Sequence, residues 1–197
     1  MRRNLPAAER SPDQVYSLLT SSIVPRPIAW VSTRSLEGML NLAPYSFFTV
    51  ASQDPAIVSV TSVGRKDTLA NVRATGEFVV NIGSEHLIDQ INESSGAYPR
   101  EFDEFEAAGL TPEDSEYIDV PRVAEAAIAI ECALHDLHEV GNGTLILGKV
   151  VNFSISESVL AEDGLPLIDK VRPPSRLGRT EWGLAPEVTE RERPQVK

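Results

Sequence analysis

The segment NLAPYSFF, residues 41–48, opens the stretch of the chain that decides the fold. It is followed by the strand-like run AIVSVTS at 56–62, by GRKDT at 64–68 and by EFVVN at 77–81. A glycine and two adjacent cations ahead of a helix start bring N–H groups, the positive end of the helix dipole and fixed positive charge to one point. The pattern at 64–68 therefore predicts a site for a phosphate monoester.

The segment at 41–48 predicts a slot for the flat part of the same ligand. Asn41 and Ser46 offer hydrogen-bonding groups, while Pro44 keeps the chain extended and removes one backbone N–H. Tyr45, Phe47 and Phe48 provide the apolar wall that an aromatic ring system needs for burial. The two neighbouring segments together predict a phosphorylated aromatic cofactor.

Four motifs occur in a fixed order along the chain: PRPIAWVST (25–33), NLAPYSFF (41–48), KDT (66–68) with Asn71, and TGEFVVN (75–81). Together they resemble the flavin reductase-like family of FMN-binding split-barrel proteins, and the resemblance extends from Ile23 to Trp182. It implies a mainly β protein with peripheral helices, built as a six-stranded split β-barrel. It also implies an FMN held at a homodimer interface and oxidoreductase chemistry.

The resemblance also implies which residues hold the cofactor. The loop at 65–68 would fix the phosphate, and the segment at 41–46 would hold the ring edge. The predicted cofactor-binding residues are Asn41, Leu42, Ala43, Pro44, Ser46, Thr61, Ser62, Arg65, Lys66, Asp67, Thr68, Arg176 and Trp182. No catalytic residue and no metal ligand is predicted, since the cofactor itself carries the reaction.

Several of these assignments have a plainer alternative. From spacing alone, the loop at 65–68 also fits a solvated turn that begins a helix, and only the family motif favours a phosphate site. The hydroxyls of Thr61 and Ser62 fit contact with the cofactor and local backbone hydrogen bonding equally well. Trp30 and Trp182 fit either a flavin border or packing. Trp182 is the better candidate, because the family has a C-terminal segment near the flavin at that place.

One departure from the family bears on the reductant. Many flavin reductases of this fold carry an Asp-His pair in a hairpin turn that faces the nicotinamide, whereas this chain has Asn142-Gly143 there. Either hydride delivery uses other groups, or the reductant is not a free nicotinamide.

The composition limits the class of protein. A length of 197 residues predicts a single domain, here 1–185, and the charged segment at 186–197 predicts a mobile tail. The net charge of −11 argues against nucleic acid and anionic membranes as partners. No apolar run approaches a membrane span of about 20 residues and no secretory signal is recognisable. The lone Cys132 fits a reducing compartment, so we expect a cytoplasmic protein.

Local patterns predict the elements around these motifs. Ser11, Pro12 and Gln14 form a capping box for a first helix, whose apolar face should cover one end of the barrel. A second helix should be capped by Asp67 or Thr68 and end at Gly76. We further expect strands at 28–33, 78–82, 127–138 and 144–155, a helix capped at residue 84, and a surface helix at 101–108. The inward residues expected in the first helix and in the strand at 144–155 are Val15, Leu18, Leu19, Leu145, Leu147, Val151 and Phe153.

The predicted function is electron transfer from NAD(P)H through FMN to an unidentified acceptor. One alternative is an electron carrier resembling flavoredoxin, which lacks a nicotinamide site and is favoured by the turn at 142–143. The other is a module that binds flavin without redox chemistry, which a reversible potential titration of bound FMN would disfavour.

Overall fold

The computed structural model describes residues 1–195. Its helices are α1 (Pro12–Ser22), α2 (Asp67–Thr75), α3 (Ile88–Glu93), α4 (Glu104–Ala107) and α5 (Ile168–Val171). Its longer strands are β2 (Ala29–Arg34), β3 (Leu40–Tyr45), β4 (Phe48–Gln53), β5 (Ala56–Val63), β6 (Glu77–Ile82), β9 (Ile128–Val140) and β10 (Gly143–Ile155). Two-residue strands are β1 (Arg26–Pro27), β7 (Pro112–Glu113), β8 (Arg122–Val123), β11 (Ser175–Arg176) and β12 (Trp182–Gly183).

The seven longer strands form one antiparallel sheet in the order β3-β2-β6-β9-β10-β5-β4. The strands at its two ends, β3 and β4, are joined by Ser46 and Phe47 alone, so the ends of the sheet must meet at this connection. The N–H of Thr61 donates to the carbonyl of Phe47 at 2.8 Å, and β3 also contacts β5. The sheet therefore curls into the predicted split barrel, with seven strands where the resemblance implied six.

The barrel encloses a core drawn from almost every strand and from α2. Its buried members are Ala29, Val31, Tyr45, Val58, Val60, Leu69, Val72, Phe78, Val80, Cys132 and Ile146. The predicted packing role of Cys132 is confirmed, because its side chain is buried in this cluster. Helix α2 packs against β2, β3 and β6, which places the start of the helix beside the connection between β3 and β4.

Helix α2 ends as predicted, since Gly76 adopts the left-handed conformation with φ of 76° that glycine tolerates best. Its beginning differs from the prediction. Lys66 occupies the N-cap position without a side-chain capping bond, and Asp67 is the first helical residue. The Thr68 hydroxyl is directed instead to Asn41, so a tertiary hydrogen bond replaces the local cap.

The hairpin of β9 and β10 forms as predicted, but its inward face was predicted wrongly. Ile146 is buried, whereas Val151 and Phe153 are 40% and 56% exposed. Apolar residues occupy both faces of β10, so alternation does not identify the inner one, and register shifts near Gly148 and Asn152 change the phase. A Cβ at Gly148 would lie 2.3 Å from the Phe78 ring, so this close packing requires glycine.

Two predicted helical faces are also corrected. The capping box of α1 is present, but Leu18 and Leu19 are 38% and 51% exposed, so α1 does not cover an end of the barrel with that face. The predicted surface helix at 101–108 is the four-residue α4, in which Glu104 and Phe105 are buried. Ser84, which was predicted to cap a helix, precedes a 3₁₀ turn, and its side chain makes no capping hydrogen bond.

The C-terminal segment follows the small sheet β1-β11-β12. Residues 186–195 form no helix or strand and are exposed, while 196–197 lie outside the described residues. The mobility of this tail and its boundary at 185 stay predictions. Within the described part of the chain, every helix is too short or too polar to cross a bilayer.

Candidate functional site

A cavity of about 390 Å³ opens where the connection between β3 and β4 meets the end of β5 and the start of α2. We call it the main cavity. Its walls are formed by Tyr16, Asn41, Ala43, Pro44, Tyr45, Ser46, Phe47, Thr61, Val63, Arg65, Lys66, Asp67, Thr68, residues 94–98 and Glu104. Most of the predicted cofactor-binding residues are therefore brought together by the fold.

A cationic loop, residues 64–66, contributes Arg65 and Lys66 to the lining of the main cavity. Arg65 and Lys66 are exposed, and neither forms an ion pair with any carboxylate in residues 1–195. Gly64 has a φ of 74°, and its N–H donates to the carbonyl of Asn142 at 2.9 Å. The hairpin turn at 142–143 thus supports a loop whose two cations are available to an anion, in a chain whose net charge is −11.

A buried hydrogen-bond network also lines the main cavity, and it begins at Thr68, two residues after Lys66. The Thr68 hydroxyl donates to Asn41 Oδ1 at 2.8 Å, and Asn41 Nδ2 donates to Glu104 Oε1 at 3.0 Å. The N–H of Leu42 donates to Glu104 Oε2 at 3.2 Å. The network fixes the amide of Asn41, because its oxygen faces a hydroxyl donor and its nitrogen faces a carboxylate.

Glu104 is the residue of this network that sequence reasoning missed. Burial raises the pKa of its carboxyl group, although the hydrogen bonds from Leu42 and Asn41 act in the opposite direction. Nothing in the acidic run at 101–106 marks one glutamate as buried, since a run of charges is ordinarily a solvated surface. Tyr16 and the turn at 94–98 were also missed, and the small polar sequence Ser94-Ser95-Gly96 is the available signal for the latter.

Three hydroxyl groups lie close together beside the main cavity. Tyr45 and Ser62 are buried, and Thr68 belongs to the network described above. Burial raises the pKa of the Tyr45 phenol, while the nearby hydroxyls of Thr68 and Ser62 act in the opposite direction.

Four predicted residues do not line the main cavity. Leu42 is fully buried in a second core cluster with Trp30, so only its backbone N–H takes part in the network. Ser62 is fully buried behind the cavity wall. Arg176 and Trp182 instead line a smaller neighbouring space of about 150 Å³, which we call the side cavity.

Trp30 has the packing role that was its plainer alternative. It is fully buried, and its Nε1 donates to Ser94 Oγ at 2.8 Å. Through this bond it holds the beginning of the 94–98 turn against the main cavity. Its contribution to the site is therefore indirect.

The main cavity fits a flavin phosphate in size and chemistry. Its volume falls within the range of about 300–1,000 Å³ typical of small-molecule sites. Its lining combines unpaired cations, aromatic side chains, and amide and hydroxyl groups that are held by hydrogen bonds. The residues that would hold the phosphate are Arg65 and Lys66, and the segment at 41–46 would hold the ring.

Known proteins are similar to this chain along most of its length. Residues 21–173 match the flavin reductase-like domain model. An uncharacterized protein of Aquifex aeolicus is 39% identical over 175 residues, which cover 86% of this chain and 89% of that protein.

Two solved structures are similar over nearly their whole lengths. Nitrilotriacetate monooxygenase component B from Bacillus cereus has a TM-score of 0.93 at 36% identity, covering 96% of this chain and 98% of that one. Flavoredoxin of Desulfovibrio vulgaris has a TM-score of 0.79 at 25% identity, covering 97% of each chain. The family match spans most of the chain and the site geometry suits a flavin. The protein therefore belongs to the flavin reductase-like domain family.

Proposed function

We propose that the protein is an FMN-binding oxidoreductase that takes electrons from NAD(P)H and passes them through FMN to a second acceptor. The observation that carries the proposal is the lining of the main cavity, which combines unpaired cations, aromatic side chains and a hydrogen-bonded polar network. FMN, when bound, supplies the two-electron redox chemistry. The protein supplies position, hydrogen bonds and exclusion of water.

Each part of the cavity has a separate task in this proposal. Arg65 and Lys66, with the N-terminus of α2, bind the phosphate through charge-assisted hydrogen bonds. Asn41 presents an amide whose orientation is set by Thr68 and Glu104. Tyr45 and Phe47 cover apolar surface of the ring.

The direct test is the absorption spectrum of the purified protein, recorded with FMN and then after anaerobic addition of NADH or NADPH. We expect an oxidised flavin spectrum that is bleached by the nicotinamide faster than free FMN is bleached. A protein that does not bind FMN at micromolar concentration would contradict the proposal.

An electron carrier without a nicotinamide site is the second candidate, and one observation favours it. The turn at Asn142-Gly143 offers no acid or imidazole, and its Asn142 carbonyl is used to hold Gly64. Stopped-flow reduction separates the two candidates. Slow reduction by both NADH and NADPH, with rapid and reversible reduction by dithionite, would favour the carrier.

We also propose that the functional unit is a homodimer. Apolar side chains are exposed beside the main cavity, where Tyr16 is 57% exposed and Phe47 is 37% exposed, their ring centroids 6.4 Å apart. On β10, Val151 and Phe153 are exposed as well. A second copy of the chain would cover such surface and enclose the ring.

Light scattering tests this assembly. We expect twice the chain mass of 21.5 kDa at micromolar concentration, and the charged variant Phe153→Glu should shift the mass toward the monomer. The control variant Glu106→Gln, at an exposed polar position, should leave the mass unchanged. A monomeric mass with FMN still bound would contradict the homodimer.

The same free Cys132 that suggested a reducing compartment is chemically quiet. Burial raises its pKa to about 12, so it is not a thiolate at neutral pH. We therefore assign the thiol no part in the reaction. A cytoplasmic location stays part of the proposal, because a lone cysteine fits a reducing compartment.

A further inference from the structure

The side cavity adjoins the main cavity and has its own chemistry. Pro44, Tyr45, Ser46 and Ser95 line both spaces. The remaining walls of the side cavity are formed by Ile28, Ile91, Asn92, Arg176 and Trp182. None of these residues carries a carboxylate, although the chain as a whole has 29 acidic residues against 18 basic ones.

Two arginines meet beside the side cavity. Arg26 and Arg176 are paired across strands β1 and β11, and neither forms an ion pair with a carboxylate of residues 1–195. Burial lowers the pKa of Arg26 and the charge of Arg176 acts in the same direction, while Tyr16 raises it. Like charges this close repel each other, so an anion in the side cavity beside Arg176 would offset the repulsion.

The two arginines differ in how many of their donors are used. Arg26 is 7% exposed and donates to the carbonyls of Thr20, Ile23 and Leu177 and to Ser46 Oγ. Arg26 is therefore a structural residue, with four of its five guanidinium N–H donors used within the fold. Arg176 makes one such bond, from Nη2 to the Arg179 carbonyl at 3.1 Å, and its Cζ lies 4.7 Å from the centroid of the Trp182 ring. The ring holds the guanidinium in place and leaves most of its N–H groups available.

Ser46 adds a second donor at the boundary between the cavities. Its Oγ accepts a hydrogen bond from Arg26 Nε at 3.3 Å, so its own hydroxyl proton is free to be donated to a ligand. Because Ser46 lines both cavities, a ligand in the side cavity can be reached from the place assigned to the flavin ring. Arg176 and Ser46 therefore both offer donors to this small space.

We propose that the side cavity is the subsite for an anionic group, a carboxylate or a phosphate, of the second substrate, bound by Arg176 and Ser46. This inference rests on the proposed function, since the second substrate must lie beside the flavin. It departs from the expectation that Arg176 holds the cofactor itself. The anionic group has two possible sources, the carboxylate of an electron acceptor or the phosphates of the nicotinamide nucleotide.

Calorimetric titration with matched probes tests the subsite. Benzoate and benzamide have nearly the same shape and differ in charge, and each is titrated into the FMN-loaded and the flavin-free protein. A hydrogen-bonded charge pair corresponds to a roughly 10- to 150-fold preference, so we expect wild-type protein to prefer benzoate by at least about tenfold. In Arg176→Gln this preference should fall toward unity, while benzamide binding and FMN affinity change little.

Two further variants keep the result interpretable. Arg176→Lys retains the charge and should keep part of the benzoate preference, whereas the exposed control Arg73→Gln makes the same charge change elsewhere and should keep all of it. Adenosine diphosphate serves as the phosphate probe. If Arg176→Gln weakens its binding more than that of benzoate, the nicotinamide nucleotide is the source of the anionic group.

Three outcomes would overturn the inference. Equal affinities for benzoate and benzamide in wild-type protein would show that the side cavity does not select charge. An unchanged preference in Arg176→Gln would show that Arg176 does not bind the anion. A large loss of FMN affinity in that variant would show that Arg176 binds the cofactor. Failure of FMN to bind, with benzoate selectivity intact, would contradict the proposed function and leave the anion subsite standing.

Discussion

The cationic loop and the buried network of the main cavity are built in opposite ways. In the loop, Arg65 and Lys66 are exposed and have no ion-pair partner in residues 1–195. In the network, Asn41, Thr68 and Glu104 are each at most 9% exposed and are bonded to one another. The loop can be changed at little cost to the fold, whereas the network belongs to both the fold and the site. The comparison implies that substitutions in the loop and in the network should affect different measurements.

The largest effect is expected for the stability of the network. Glu104→Ala leaves Asn41 Nδ2 and the N–H of Leu42 without their acceptor, and each unsatisfied buried donor costs roughly 1–3 kcal/mol. The free energy of unfolding from urea denaturation of the flavin-free protein should fall accordingly. Lys66→Ala and the exposed control Glu106→Ala should each change it by less than about 0.5 kcal/mol. If Glu104→Ala were as stable as Glu106→Ala, the network would contribute nothing to the fold.

The next effect concerns ligand affinity at the loop. Lys66→Ala should weaken FMN binding by roughly 1.5–3 kcal/mol, which is about a 10- to 150-fold loss. Riboflavin lacks the phosphate, so its affinity in a fluorescence titration should change little. High salt should weaken FMN binding by wild-type protein more than by the variant, because only the former retains this charge pair.

The outcome of that titration also separates the possible roles of the loop. Equal weakening of FMN and riboflavin would mean that Lys66 stabilises the loop and does not bind phosphate. An FMN affinity unchanged in Lys66→Ala would shift the phosphate to Arg65 or to the arginines of the C-terminal segment.

The contrast between the cationic loop and the buried network also explains which features of the site can be predicted from the sequence. Gly64, Arg65 and Lys66 are adjacent in the chain, so a local motif identifies the loop. Glu104 lies far along the chain from Asn41, in an acidic run whose other members are mostly solvated. Its burial is decided by the packing of α4 against β3, which no local pattern contains.

The same distinction applies to the barrel. Ser11 with Gln14 and Gly76 are local signals, and the sequence correctly predicts the helix ends that depend on them. The inward face of β10 is not local, because apolar residues occupy both faces and the register shifts move the phase. The barrel itself is predicted by the family motifs and not by local patterns, because strand order and closure depend on contacts between distant strands.

The smallest predicted effect is the pH dependence of the free energy of unfolding that Glu104 of the buried network contributes. The pKa of Glu104 is raised in the folded protein, so the folded state binds its proton more tightly than the unfolded chain does. The stabilisation from this proton is complete below the ordinary glutamate pKa of about 4.3 and is lost as pH rises through the raised value. The free energy of unfolding should therefore fall with rising pH over this interval.

A comparison of variants isolates this contribution. The fall should be smaller in Glu104→Gln, which cannot ionise, and unchanged in Glu106→Gln. Parallel pH profiles for wild-type protein and Glu104→Gln would show that Glu104 does not titrate with a raised pKa.

A crystal structure of the FMN complex tests the central claim most directly, because it shows which residues of the main cavity hold the phosphate and which hold the flavin ring. We predict phosphate oxygens within hydrogen-bonding distance of Lys66 or Arg65, and the flavin ring against residues 41–46 with the Asn41 amide still bonded to Glu104. A phosphate at Arg176 in the side cavity, or a flavin bound outside the main cavity, would contradict the account.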